Sequence, residues 1–211
     1  MQQIILASGS ARRRELLEKL GVDFIVSESG YDESLIKTED PVELVEELAI
    51  QKALAVAKHR GDAIIIGGDT VVYAAGELIG KPKDKADALR MLRLLSGTTH
   101  LVVTGVAVIN SLTGDQVVGH EEGWVRFRSL SEEEISKYLD SGVWEGFAGG
   151  YAIQGMASPF VAEQTGSLSG IIGFPVVLVA DLLEQMGVAV EVDPKELEIQ
   201  IHDEKIGIEG Q

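Results

Sequence analysis

Cysteine is absent from the 211 residues, which excludes disulfides and thiolate metal sites and agrees with a cytoplasmic protein. No uncharged apolar run is long enough to cross a bilayer, so neither a membrane span nor a membrane partner is expected. The opening Met1-Gln2-Gln3-Ile4-Ile5-Leu6 lacks the basic start of a signal peptide and meets polar Ser8 too soon. Positive charge is scarce: 18 lysines and arginines face 34 acidic residues, for a formal charge of -16. Such a surface repels phosphate backbones, so nucleic acid polymers are not expected partners. A small anion is still allowed where the few basic residues converge. Several signatures are missing too: the Gly-x4-Gly-Lys-Ser/Thr phosphate loop, Gly-x-Gly-x-x-Gly, His-Glu-x-x-His and the Gly-x-Ser-x-Gly elbow. His59, His100, His120 and His202 are scattered without metal-ligand spacing.

What is present suits one α/β domain. Hydrophobic residues make up 45% and charged residues 25%, and a chain of this length buries roughly 70% of its unfolded surface. An apolar strand is expected over residues 2–7, leading through Ser8-Gly9-Ser10 into a helix that carries Leu16, Leu17 and Leu20 inward. Asp40, Pro41 and Glu43 give the next helix a cap, a first-turn proline and a capping-box acid, and it should reach residue 59. Residues 63–67 read as a strand ending in Gly68-Asp69-Thr70, and a hairpin should turn at Ala75-Gly76. A helix over 82–95, strands over 100–110 and 116–127, and a helix opened by Ser131 and Glu134 follow. Residues 146–155 and 166–173 read as flexible glycine-rich chain, separated by a strand near 160–163, and Pro175 opens a last helix. The irregular order of strands and helices, with hairpins between, predicts an α/β fold with a mixed twisted sheet and flanking helices. Residues 193–211 read as an acidic tail or an edge strand.

The placement of charge is more informative than its amount. Arg12, Arg13 and Arg14 fill the first turn of the first helix, where cations oppose the helix dipole at roughly 0.3–1 kcal/mol each. Free N–H groups at a helix start attract anions, and arginine forks beside them make a phosphate or carboxylate clamp. Alternatively the arginines fan out to Glu15 and Glu18, and one or two of the three are expected to point outward. Lys52 shares a helix face with Val45, Leu48, Ala49 and Val56, where a lone lysine by default snorkels to solvent. Lys81 stands in Gly80-Lys81-Pro82 and alone reads as a loop lysine. Asp69 follows two glycines that would let a ligand or metal approach the backbone, and it could bind magnesium, orient water or cap a turn. Glu33 sits in a polar loop. These residues describe a phosphate clamp with a carboxylate, and they name no reaction.

Taken in order, these segments resemble the Maf family of nucleoside triphosphate pyrophosphatases. The matching stretches are Leu6-Ala7-Ser8-Gly9-Ser10-x-Arg12-Arg13-x-Glu15-Leu16-Leu17, Asp32-Glu33, Lys52-Ala53, Gly68-Asp69-Thr70-Val71-Val72 and Gly80-Lys81-Pro82. Ser96-Gly97, residues 100–106, Gly149-Gly150-Tyr151-Ala152-Ile153-Gln154-Gly155 and residues 166–175 complete the set. The resemblance implies a single catalytic domain over residues 1–192, with two lobes around a cleft, related to inosine triphosphate pyrophosphatases. It implies cleavage between the α- and β-phosphates with a divalent cation, magnesium or manganese. Ser8, Arg13, Lys52 and Lys81 would hold the triphosphate. Asp69 would be the proton acceptor, and Glu33 a metal carboxylate beside it. A carboxylate is a weak base at neutral pH, so Asp69 acting as a metal ligand or water-orienting group stays open. Members preferring dTTP and UTP carry Arg, Thr and Gln where this chain has Arg12, Thr70 and Gln154; those preferring 7-methyl-GTP carry Trp, Gln and Glu. The resemblance thus implies a pyrimidine substrate, canonical or modified, and family members often form homodimers. A regulator of cell division and a purine-cleaning enzyme are the alternatives. Ala11, Gly123, Leu168 and Phe174 depart from the family's usual proline, threonine, aromatic and leucine.

Overall fold

The computed structural model describes residues 2–209. Seven strands form one mixed sheet, ordered β2-β1-β3-β5-β6-β7 with β4 hydrogen-bonded to β3. They are β1 Gln3–Leu6, β2 Ile25–Val26, β3 Ala63–Ala74, β4 Glu77–Ile79, β5 Thr99–Asn110, β6 Gln116–Phe127 and β7 Val161–Thr165. β1 runs parallel to β2 and β3, and the other pairings are antiparallel. The helices are α1 Ala11–Lys19, α2 Pro41–Ala57, α3 Lys85–Leu95, α4 Glu132–Asp140, α5 Leu168–Ile172, α6 Val176–Gln185 and α7 Pro194–Glu209. The mixed sheet with flanking helices is the architecture that the sequence predicts. Among the described residues no helix is long and apolar enough to cross a membrane.

Helix starts follow local chemistry. Asp40 accepts hydrogen bonds from the Val42 and Glu43 amides at 2.8 and 3.0 Å, and Ser131 with Glu134 forms the expected capping box. α3 opens later than expected because Asp84, not Pro82, caps it through the Asp87 amide. Ala75 and Gly76 turn the β3–β4 hairpin with φ of 52° and 84°, the left-handed pair that a two-residue turn needs.

Four expectations are corrected. β3 does not stop before Asp69: its register with β5 continues unbroken from Ile64 opposite Asn110 to Tyr73 opposite Leu101, so Asp69 lies mid-strand. Gly67 and Gly68 interrupt the apolar pattern for another reason. A Cβ on Gly67 would lie 2.1 Å from the Ala49 carbonyl oxygen of α2, and one on Gly105 would lie 2.5 Å from that of Val45. Gly67 and Gly105 admit a helix, while a Cβ on Gly68 would lie 3.5 Å from Arg13 Nε. Second, residues 166–173 contain α5, capped by Ser167 on the Gly170 amide at 2.9 Å. Third, residues 146–155 hold a short 3-10 turn over Ala148–Gly150. Fourth, residues 194–209 are neither loose tail nor edge strand but helix α7; residues 210–211 of that expectation lie outside the described residues. Leu197 and Ile201, one turn apart, are buried in the main core, and Asp193 caps the start through the Lys195 amide at 2.8 Å. Two buried side chains among residues 194–204, in polar-rich chain, leave too faint a period to read.

Candidate active site

A cavity of about 570 Å³ is walled by residues 7–13, the 28–33 loop, the middle of β3, residues 146–154 and the end of α5. All nine residues singled out from the sequence line it: Ser8, Arg12, Arg13, Glu33, Lys52, Asp69, Thr70, Lys81 and Gln154. They come from α1, α2, β3 and four connecting segments, so only the fold assembles them.

Lys52 is the centre of the arrangement. Because Gly67 and Gly105 let α2 press its backbone onto β3 and β5, Lys52 is carried to the sheet at the level of Asp69. It is 8% exposed and does not snorkel. Its Nζ donates to Asp69 Oδ1 at 2.6 Å and pairs with Glu33 Oε1 at 2.6 Å. A buried ammonium needs such partners to stay charged. Burial raises the Glu33 carboxyl, but Lys52, with Lys81 and Arg13 farther off, outweighs it and holds Glu33 below the usual carboxylate range.

The three first-turn arginines divide as the sequence suggests. Arg14 is exposed, and Arg12 reaches the cavity rim with its Nη1 3.7 Å from Glu15. Arg13 turns inward. Its Nε donates to the Gly173 carbonyl at 3.0 Å, its Nη1 to the Gly68 carbonyl at 2.7 Å and Ser8 Oγ at 3.2 Å, and its Nη2 to Thr70 Oγ1 at 3.1 Å. Desolvation pushes its pKa down while Asp69 and Glu33 push it up. Four of five guanidinium donors are thereby spent on protein, and the fork ties α1, β3 and the end of α5 together.

Thr70 is engaged in the same network. Thr104 Oγ1 donates its one proton to the Gly170 carbonyl at 2.8 Å, so in the 2.9 Å contact between the two threonines Thr70 must be the donor. Its oxygen accepts from Arg13, which leaves Thr70 little to offer a ligand. Ser8 Oγ accepts from Arg13 and from the Ser10 amide, and its own proton has no acceptor among the described residues. Lys81 is exposed and makes no ion pair among them, and the Gln154 amide has no hydrogen-bond partner there either. Lys81, Gln154, the Ser8 proton and, at the rim, Arg12 are thus the groups most open to a ligand.

Other lining residues had not been singled out. Tyr31, Phe147, Tyr151, Ile153, Val72 and Val102 give the cavity an apolar portion beside its charged one. Tyr151 is anchored from behind by buried His100, whose Nε2 lies 2.8 Å from the Tyr151 hydroxyl, and the Ala152 amide donates to the Tyr138 hydroxyl at 3.3 Å. These two contacts hold the strip that ends in Gln154. Gly123, a departure from the family pattern, leaves room for Ile171: a Cβ there would lie 2.4 Å from it.

The donor chemistry suits a hard cation. Four cationic residues line the cavity against three carboxylates, Glu28, Glu33 and Asp69. That excess is too small for a triphosphate, and Glu33 and Asp69 already turn oxygens toward one positive charge, the Lys52 ammonium. Magnesium characteristically takes one or two carboxylates together with substrate phosphates. Among the described residues no cluster of three or more acidic or histidine ligands forms a closed metal cage.

A family profile described as Maf-like protein matches residues 3–186. A relative from Pelotomaculum thermopropionicum named dTTP/UTP pyrophosphatase is 44% identical over 187 residues, covering 89% of this chain and 98% of its own. One of the same name from Geotalea uraniireducens is 45% identical over 184 residues, covering 87% and 95%. Among solved structures, the Staphylococcus aureus Ham1 protein aligns at 17% identity and a TM-score of 0.42, over 60% of this chain and 72% of that one.

Proposed function

The chain belongs to the Maf family, and from that premise we propose that it hydrolyses dTTP and UTP to the nucleoside monophosphate and pyrophosphate. The observation carrying this reading is the convergence of nine residues, remote in sequence, on one cavity around the Lys52 bridge. Nearly full-length relatives bearing that name at 44% and 45% identity support the substrate pair.

In this reading Lys81, Arg12 and the Ser8 hydroxyl engage the phosphate chain, and Lys52 adds its charge once a nucleotide competes with the carboxylates. Arg13 serves mainly as a brace, with one guanidinium N–H free to reach a phosphate oxygen. Asp69 orients the attacking water and takes up its proton as the bond from the α-phosphorus to the bridging oxygen breaks. The electron pair leaves on pyrophosphate. Glu33 and Asp69 would hold a divalent cation, which would neutralise phosphate charge and acidify water when bound. Gln154 offers an amide donor and acceptor to a uracil or thymine edge, and the apolar portion around Tyr151 receives the base. Thr70 acts on specificity through Arg13 and the α5 wall, not through its own hydroxyl.

Incubation with dTTP, UTP, CTP, ITP and 7-methyl-GTP, with and without magnesium, tests the reading. Metal-dependent monophosphate and pyrophosphate from dTTP and UTP are expected, with Asp69→Asn reducing turnover at least about a hundredfold. Faster turnover of ITP or 7-methyl-GTP would sink the pyrimidine assignment.

A further inference from the structure

Helix α7 lies beyond residue 186, where the match to the family ends. It is nonetheless fastened to two of the three elements that the Arg13 fork joins, α5 and α1. On one side, Glu198 grips α5: its Oε2 accepts the Ser169 hydroxyl proton and its Oε1 accepts the Ser169 amide at 3.2 Å. Ser169 is fully buried, and its Oγ accepts the Val176 amide at 3.0 Å while its carbonyl accepts the amides of Gly173 and Phe174 at 3.0 and 2.9 Å. Those bonds shape the α5 turn that presents the Gly173 carbonyl to Arg13 Nε and the Gly170 carbonyl to Thr104. On the other side, Glu204 pairs at 2.9 Å with Lys19, at the far end of the helix that begins with Arg12 and Arg13. Leu197 and Ile201 seat the helix between these contacts.

Glu198 occupies an acidic neighbourhood. Glu121 lies close enough to feel its charge: burial, with the charges of Glu198 and Asp181, holds Glu121 above the usual carboxylate range against a hydrogen bond from Ser167. His202 lies 3.6 Å from Glu198 Oε1, one turn along α7. A carboxylate placed against this repulsion is a poor choice for packing alone, and it makes sense as a bidentate grip on Ser169.

We propose that α7 is a strap that fixes the α5 wall of the cavity, and that Glu198 is a positioning residue for nucleotide binding, acting through Ser169, Gly173 and Arg13. The Lys52–Asp69–Glu33 group is held by its own 2.6 Å contacts between α2, β3 and the 28–33 loop, and none of these contacts involves α5 or α7. Loosening the strap therefore weakens binding and spares the chemical step.

Two readouts test the proposal, and the kinetic one rests on the dTTP reading given above. Glu198→Ala is expected to raise the KM for dTTP about tenfold with kcat within about twofold, the mark of lost uniform binding. Glu198→Gln, isosteric and still able to accept one Ser169 bond, should recover most of that loss, and Glu196→Ala on the exposed face should match wild type. Independently of any substrate, backbone amides of residues 173–174 should exchange at least about tenfold faster in Glu198→Ala, and detectably faster in Glu198→Gln, than in wild type. Unchanged exchange at those amides overturns the strap. So does an unchanged KM, or a loss of kcat alone, in folded Glu198→Ala. Wild-type protein that leaves dTTP intact would instead refute the substrate reading, and the exchange comparison would still decide the strap.

Discussion

At the scale of single residues, the informative feature is charge in an unfavourable place. Arginines in a first helical turn and a lysine on an apolar stripe each cost stability unless something repays them, and both turned out to be bound to specific partners. That is why Arg13 is legible in the residues themselves, whereas Lys52 alone reads as a snorkelling lysine, Asp69 alone could cap a turn, and the family resemblance supplies their roles. Tyr31, Phe147 and Tyr151 were not, because an apolar residue lining a cavity follows the same pattern as one in the core. Thr104 and Gly173 act through bonds that span 66 and 160 positions of chain, which no local pattern records. The Arg13 fork is geometrically specific, and a lysine there could meet at most some of its acceptors. Arg13→Lys should therefore lower the unfolding free energy by at least about 2 kcal/mol, read by urea denaturation. It should also weaken dTTP binding, because the charge is kept but the brace between α1, β3 and α5 is lost. A variant with wild-type stability would show that the four bonds are incidental.

At the scale of elements, legibility followed the strength of local signals. α2 was readable from Asp40-Pro41 with Glu43 three residues after the cap. Asp193-Pro194-Lys195-Glu196 at the start of α7 is the same signal, and the acidic, weakly periodic chain after it hid the helix. β3 was cut short in the sequence reading because glycine reads as punctuation, whereas Gly67 and Gly105 are there to seat α2. Filling that seat should be costly. Gly67→Ala sets a methyl group against the Ala49 carbonyl oxygen, and overpacking of this kind destabilises by about 1–3 kcal/mol. The helix can relieve the clash only by moving away from the sheet, which lengthens the 2.6 Å contact from Lys52 to Asp69. Turnover should therefore fall by more than the loss of folded protein explains, in assays normalised to folded fraction. Activity that tracks folded fraction alone would separate the helix seat from the site.

For the whole molecule, the sequence conveyed the class of fold but not its strand order. Hairpins in the middle of the chain pointed to a mixed sheet, while the placing of β1 between β2 and β3 depends on long-range parallel pairing that leaves no local trace. Global stability should also carry a signature of the core behind the site. His100 is fully buried among Phe127 and Tyr151, its Nδ1 has no partner among the described residues, and burial pushes its pKa down to about 4. The unfolded chain protonates this histidine near pH 6.5 and the folded protein resists until about pH 4. Its contribution to stability is complete above 6.5 and is lost as the pH falls through that window, at up to about 1.4 kcal/mol per pH unit. Denaturation of His100→Gln between pH 7 and pH 4 should show a correspondingly shallower decline than wild type. Parallel profiles would mean that the histidine does not titrate on unfolding.

In the proposed reaction this cavity directs water to the α-phosphorus of a pyrimidine nucleoside triphosphate. Hydrolysis of dTTP in water enriched in heavy oxygen, followed by mass spectrometry of both products, tests it most directly. The label is expected in dTMP, with unlabelled pyrophosphate, because the new bond forms at the α-phosphorus. Label in pyrophosphate, or release of labelled orthophosphate with dTDP, would place the attack on another phosphorus and contradict it.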